Sequence, residues 1–99
     1  IMIKRIVKMT FQPDQTETFL REVFDQSKDK IRAFDGCHSM ELLRDTAQPN
    51  VLFTFSVWTS EAHLNAYRAS ELFQNTWAKT KVLFADKPAA WSVEVVDQG

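Results

Sequence analysis

The sequence predicts an α+β fold: a ferredoxin-like βαββαβ arrangement, with a four-stranded antiparallel sheet covered on one face by helices. Three observations point there. Four segments alternate apolar and polar residues with period two, as strands do. The two longest intervals between them carry apolar residues at helical spacing. The second and third strands are joined only by Thr46-Ala47-Gln48-Pro49-Asn50, a turn short enough for an antiparallel hairpin.

In the first segment, 2–11, Ile3, Val7, Met9 and Phe11 share one face and Lys4, Lys8 and Thr10 the other. Arg5 interrupts the apolar face and Ile6 the polar one, so the second face is expected to be partly covered as well. Gln12-Pro13 ends the strand, because proline cannot continue a ladder from the interior. Asp14-Gln15-Thr16-Glu17 has the D-x-x-E form of a capping box. Leu20, Val23, Phe24, Ser27, Ile31 and Phe34 then fall on one face, predicting a helix over about 15–33, and Asp35-Gly36 supplies a left-handed stop. Residues 37–45 alternate again, with Met40 and Leu42 opposed to Ser39, Glu41 and Leu43. In 51–58, Val51, Phe53, Phe55 and Val57 oppose Leu52, Thr54, Ser56 and Trp58. Ser60 and Ser70 are N-cap residues for two helical pieces, broken near Ala69-Ser70 and running to about Lys81. Lys87-Pro88 turns the chain into a last strand through Trp91, Val93 and Val95.

The 99 residues read as a single domain, 1–99, with no linker or repeat. Hydrophobic residues at 44% and charged residues at 25% exclude a disordered or low-complexity chain. A net charge of −1 argues against electrostatic capture of nucleic acid or an anionic membrane. The longest apolar run, Val82-Leu83-Phe84-Ala85, falls far short of the ~20 residues that span a bilayer. The single Cys37 cannot form an internal disulfide, and no apolar block of signal-peptide length follows the basic residues near the start, so a cytoplasmic location is expected. With two glycines the chain has no phosphate-binding glycine loop; zinc spacings and nucleophile elbows are absent too.

A ferredoxin-like sheet leaves one face uncovered. Here that face of the third strand is apolar and aromatic, a patch larger than soluble monomers carry, so a two-fold homodimer with sheets face to face is expected. Phe53 and Phe55 imitate the base-stacking aromatics of an RNA-recognition motif, but the strand lacks the basic-glycine-aromatic opening and the domain is not basic.

Phe11-x-Pro13, Phe34-Asp35-Gly36-Cys37, Leu42-Leu43-Arg44-Asp45 with Pro49-Asn50, Trp58-Thr59-Ser60-Glu61-Ala62, Tyr67-x-x-Ser70-x-x-Phe73 and a late Trp91 together resemble the antibiotic biosynthesis monooxygenase family over nearly the whole chain. The W-x-S-x-x-A block followed by S-x-x-F is the most specific part. The resemblance implies a dimeric α+β barrel with a pocket between helices and sheet in each subunit. It also implies oxidation of an electron-rich phenol or anthrone by O2 without metal or flavin. Such chemistry requires a dry aromatic pocket and a group that takes or shares a proton. Three positions depart from relatives. Tyr67 stands where many carry histidine. Trp77 stands where haem-degrading members place an axial histidine, and Val7 where they place asparagine, which disfavours haem degradation.

Within that reading, Tyr67 is the candidate to orient or deprotonate a substrate, assisted by His63 four residues earlier on the same helical face. Trp58, Phe73 and Trp77 are candidates to line the pocket, with Trp91 beside them; each also suits a plain aromatic core. His38 is placed either in the dimer barrel or in the pocket. Arg44 and Arg5 are candidates to hold an anionic oxygen, or else to form rim salt bridges. Cys37 and His38 point to opposite faces of a strand, so no metal site is expected, and no cofactor is implied. The partners expected are a second copy and a small-molecule substrate. The alternative is a non-catalytic dimeric ligand-binding or stress-response domain of the same fold.

Overall fold

The computed structural model describes residues 1–99. In chain order they form β1 (Ile3–Thr10), α1 (16–32, entered through a 3₁₀ turn at Pro13–Gln15), β2 (Cys37–Arg44), β3 (Val51–Trp58), α2 (Glu61–Arg68), α3 (Glu71–Lys81) and β4 (Ala89–Val93). The strands make one sheet in the order β2-β3-β1-β4, with every neighbouring pair antiparallel. This is the ferredoxin-like α+β fold that the alternating segments predict.

The register sorts the strand residues onto two faces. Arg5 is paired with Ser56 and Ser92, Val7 with Thr54 and Ala90, and Met9 with Leu52; this is the face under the helices. On the other face Ile6 lies between Phe55 and Trp91, and Lys8 between Phe53 and Ala89. A bulge between Cys37 and Ser39 interrupts β2, after which Met40 pairs with Ser56 and Leu42 with Thr54.

The main core forms where β1 leaves the sheet. Met9, Phe11, Phe19, Val23 and Leu52 are buried together, with Leu83 and Phe84 closing over them. Phe11 forms a bridge with Phe84, and Asn50 donates its side-chain amide to the Phe11 carbonyl at 2.8 Å, which fixes the hairpin loop to this corner. In that loop the Asp45 carboxylate accepts the Ala47 and Gln48 amides at 2.7 and 3.0 Å. These bonds hold its carboxyl below the usual carboxylate range.

Two features of α1 differ from the sequence reading. The capping box does not form: neither Asp14 nor its neighbours make a side-chain cap bond, because Pro13 takes the first position of the 3₁₀ turn and carries Asp14 past the cap. The middle of α1, Phe19–Phe24, is π-helical. From Phe19 onward its buried residues, Phe19, Val23, Ser27 and Ile31, are spaced by four. In an α-helix that spacing drifts by ~40° per step. The wider π turn absorbs the drift and keeps all four on the sheet.

α2 and α3 begin as expected. The Ser60 hydroxyl accepts from the His63 amide at 3.2 Å, and the Ser70 hydroxyl from the Phe73 amide at 3.1 Å. β4 stops at Val93 rather than reaching Val95. Val93 already pairs with Lys4, one residue from the start of β1, so the ladder has almost no partner left.

Gly36 connects α1 to β2 with φ +87°, and a Cβ there would lie 2.5 Å from the His63 side chain. Gly36→Ala is therefore expected to destabilise the fold by about 2 kcal/mol or more, from left-handed strain plus the collision. Urea unfolding midpoints of the two proteins check this.

Candidate functional site: an aromatic cavity under the helices

Between the sheet and the helices lies a cavity of about 330 Å³, at the small end of the ~300–1,000 Å³ typical of ligand pockets. Its floor is Val7, Thr54 and Ser56, short side chains in the middle of the sheet. Its walls include Phe19, Phe24 and Ile31 of α1, Tyr67 of α2, and Phe73 and Trp77 of α3. Of all the lining residues only Arg68 and Ala90 are exposed, which puts the mouth between the C-terminal end of α2 and β4.

Nine of the chain's twelve aromatic residues form one continuous series of ring contacts around this space. At one end Phe11 stacks on Phe19 at 4.4 Å and touches Phe84 at 5.3 Å. Trp77 meets Phe84 edge-on and stacks on Phe73 at 5.9 Å. At the other end Tyr67 stacks on the fully buried Trp58 at 4.8 Å and takes Phe34 and Phe73 edge-on. The remaining three, Phe53, Phe55 and Trp91, are on the open sheet face.

Three hydroxyls in the lining are already engaged. Ser27 donates to the Val23 carbonyl and Thr80 to the Thr76 carbonyl, both at 2.7 Å; the Ser56 hydroxyl accepts from the Trp58 indole at 2.9 Å. The Tyr67 hydroxyl has no protein partner. Burial pushes its pKa above the ordinary phenol value, with the Cys37 thiol a lesser contributor in the same direction. Tyr67 is thus a neutral phenol at physiological pH, a donor toward whatever occupies the cavity.

A profile of the antibiotic biosynthesis monooxygenase family matches residues 2–79. The chain belongs to this family. Solved structures agree with the fold. A Mycobacterium tuberculosis protein, Rv0793, is similar with a TM-score of 0.87 at 24% identity, over 99% of this chain and 98% of that one. A Caulobacter crescentus protein gives 0.88 at 21%, covering 97% and 91%. One from Bordetella bronchiseptica gives 0.83 at 23%, covering 96% and 97%. A search of curated proteins found no match.

In this antibiotic biosynthesis monooxygenase domain the nine candidates singled out from the sequence divide. Arg5, Trp58, Tyr67, Phe73 and Trp77 meet in the cavity lining. His63, His38 and Arg44 do not reach it, nor does Trp91. His63 leans over Gly36 at the start of α2, with Nδ1 2.7 Å from the Ser60 hydroxyl and Nε2 3.8 Å from the exposed Asp35 carboxylate. The Ser60, His63 and Asp35 side chains follow the order of a hydrolytic triad, but Ser60 is occupied as a helix cap outside the cavity. His38 sits exposed at the bulge, its Nε2 2.8 Å from the Thr59 hydroxyl. Arg44 is exposed at the hairpin end of β2. Cys37 is half-buried, and burial raises its thiol pKa. No three His, Cys, Asp or Glu side chains stand together as a metal site. Arg68 is the charged lining residue sequence reasoning missed; at the end of α2 it reads as an ordinary basic residue opposing the helix dipole.

Because Tyr67 is the only tyrosine, its ionisation can be followed without ambiguity. Its pKa is raised by folding, so its contribution to stability is complete below the unfolded value of ~10 and is lost as pH climbs above it. Tyrosinate absorbance of the native protein is expected to appear only well above pH ~10, and to rise at once on unfolding at that pH.

Proposed function

We propose that this protein is a cofactor-independent monooxygenase that uses O2 to oxidise a small aromatic or enolisable substrate. The observation that carries the reading is the unpartnered Tyr67 hydroxyl facing an aromatic cavity in a member of this family. Stacked between Trp58, Phe73 and Trp77, a flat substrate would present a carbonyl or hydroxyl oxygen to Tyr67, which donates to it as charge develops during loss of a proton. Oxidation of an activated methylene to a carbonyl balances with one O2: one oxygen atom enters the product, and the other leaves as water with the two methylene hydrogens. O2 is apolar, and an aromatic lining suits it as it suits the substrate.

The acid–base role shared by Tyr67 and His63 in the sequence reading narrows accordingly. Raised by burial, Tyr67 serves as donor rather than base, and His63 stands off the cavity. No histidine, aspartate or glutamate lines the space. That absence favours the second reading, a ligand-binding domain without turnover, and one experiment separates them. Oxygen consumption with a panel of anthrones, naphthols and 1,3-diketones is expected for at least one compound. Tyr67→Phe should lower the rate by about 100-fold. Binding without any oxygen uptake across the panel would support the second reading instead.

We also propose that residues 1–99 act as one domain, in a homodimer formed through the open sheet face. Support comes from Leu43, Trp91 and Val93, which lie on that face and remain 43%, 48% and 39% exposed in the single chain. Sedimentation at micromolar concentration is expected to give twice the 11.5 kDa chain mass. Trp91→Glu, which would bury a charge at such an interface, is expected to shift the protein to monomer. No helix is long and apolar enough to cross a membrane; the lone cysteine suits a reducing compartment, and we place the protein in the cytoplasm on that ground.

A further inference from the structure

We infer that the cavity takes its guest as an anion: a small flat aromatic or conjugated acid, or an enolate, whose oxygens are held by Arg5 and Arg68 at the mouth. This rests on the aromatic-cavity reading above and supplies the charge of the ligand, which that reading leaves open.

Arg5 and Arg68 are the only charged residues in the lining, and they carry the same sign. The close contacts of basic with acidic side chains, Lys28 with Asp25 and His63 with Asp35, involve neither of them. Arg5 is the third residue of β1, on the face that otherwise packs Val7 and Met9 under the helices. A guanidinium has five donor hydrogens. Arg5 uses one toward the Ser92 hydroxyl at 2.9 Å, and the Arg68 side chain makes no protein hydrogen bond.

Such a pair opposes folding. Partial burial disfavours the Arg5 charge, and the neighbouring Arg68 charge disfavours it further. Helix-dipole compensation accounts for a basic residue at position 68, the last of α2. It does not account for an arginine on the helix-covered face of a strand, nor for a lining that offers two cations no carboxylate. An anionic guest removes both costs. The Tyr67 hydroxyl adds a third donor, while the Ser27 and Thr80 hydroxyls are turned to their own helices. The site therefore presents donors above an aromatic slot. Planar guanidinium forks match carboxylate or enolate oxygens, and the rings match a flat apolar body.

Calorimetric titration with 2-naphthoate and its neutral counterpart 2-naphthamide tests this. At low salt the carboxylate is expected to bind at least about tenfold more tightly. Arg5→Gln/Arg68→Gln should abolish the preference. Arg68→Gln alone, at an exposed position that does not endanger folding, should reduce it. Raising the ionic strength should shrink it as well, since the mouth is open to solvent. Equal affinity for the two probes, or an unchanged preference in folded double variant, overturns the inference; the amide still bound would leave the cavity reading standing. If neither probe binds, both readings fall.

Discussion

Large rings at the two ends of the sheet keep the helices off its middle, and the cavity exists because of that. Phe11, Phe19 and Phe84 fill one end, and Phe34, Trp58 and Tyr67 the other. Between them Val7, Thr54 and Ser56 turn short side chains to the space, and Arg5 beside Ser56 reaches toward its mouth. With residues that short, no α1 side chain closes the gap, and the π turn holds α1 so that Phe24, Ser27 and Ile31 form a wall rather than a plug. The size argues against a packing accident. At ~24 cal/mol per Å³, a dry void of about 330 Å³ would forfeit ~8 kcal/mol, comparable to the whole stability of a small domain. A space that large persists only with an open mouth and a use for it.

The cavity's chemistry is as one-sided as its shape. The Ser27 and Thr80 hydroxyls donate to their own helices and Ser56 accepts from Trp58, so these three contribute less to a guest. What remains is donor-rich: a phenol held neutral by burial and two guanidiniums near the mouth. In a low-dielectric slot such donors act most strongly on an oxygen that is gaining negative charge. The architecture thus favours an electron-rich, anionic form of the guest, the form that gives electrons to O2 most readily.

The fold was legible because its signals are local. Period-two alternation separated Phe53 and Phe55 from Thr54 and Ser56 correctly, and Ser60 and Ser70 marked the helix starts through hydroxyls that need no tertiary partner. The failures are non-local. The π turn in α1 arises from the need to keep Phe19 through Ile31 against the sheet, a demand that 3.6-residue spacing does not register. The bulge at Cys37/Ser39 leaves His38 exposed beside Thr59. Four aromatic lining residues were readable as large apolar side chains at helical or strand spacing. Arg68 was not, because nothing in the sequence brings the last residue of α2 to β1. His63 shares a helix with Tyr67 but is drawn to Gly36, whose missing side chain opens the space His63 occupies.

The short strand β4 binds the two surfaces of the molecule together. Its residues alternate: Ala90 and Ser92 face the helices, where Ala90 borders the mouth and Ser92 anchors Arg5, while Trp91 and Val93 face outward. β4 is an edge strand, paired only with β1, and most of its residues are exposed. An edge held on one side is the least constrained part of a sheet. Packing Trp91 and Val93 against a second copy would immobilise β4 and, through the Ser92 hydroxyl, fix the Arg5 guanidinium at the cavity mouth. Association on one face and ligand capture on the other are then not separate properties of this chain, because alternate residues of the same five-residue strand serve both.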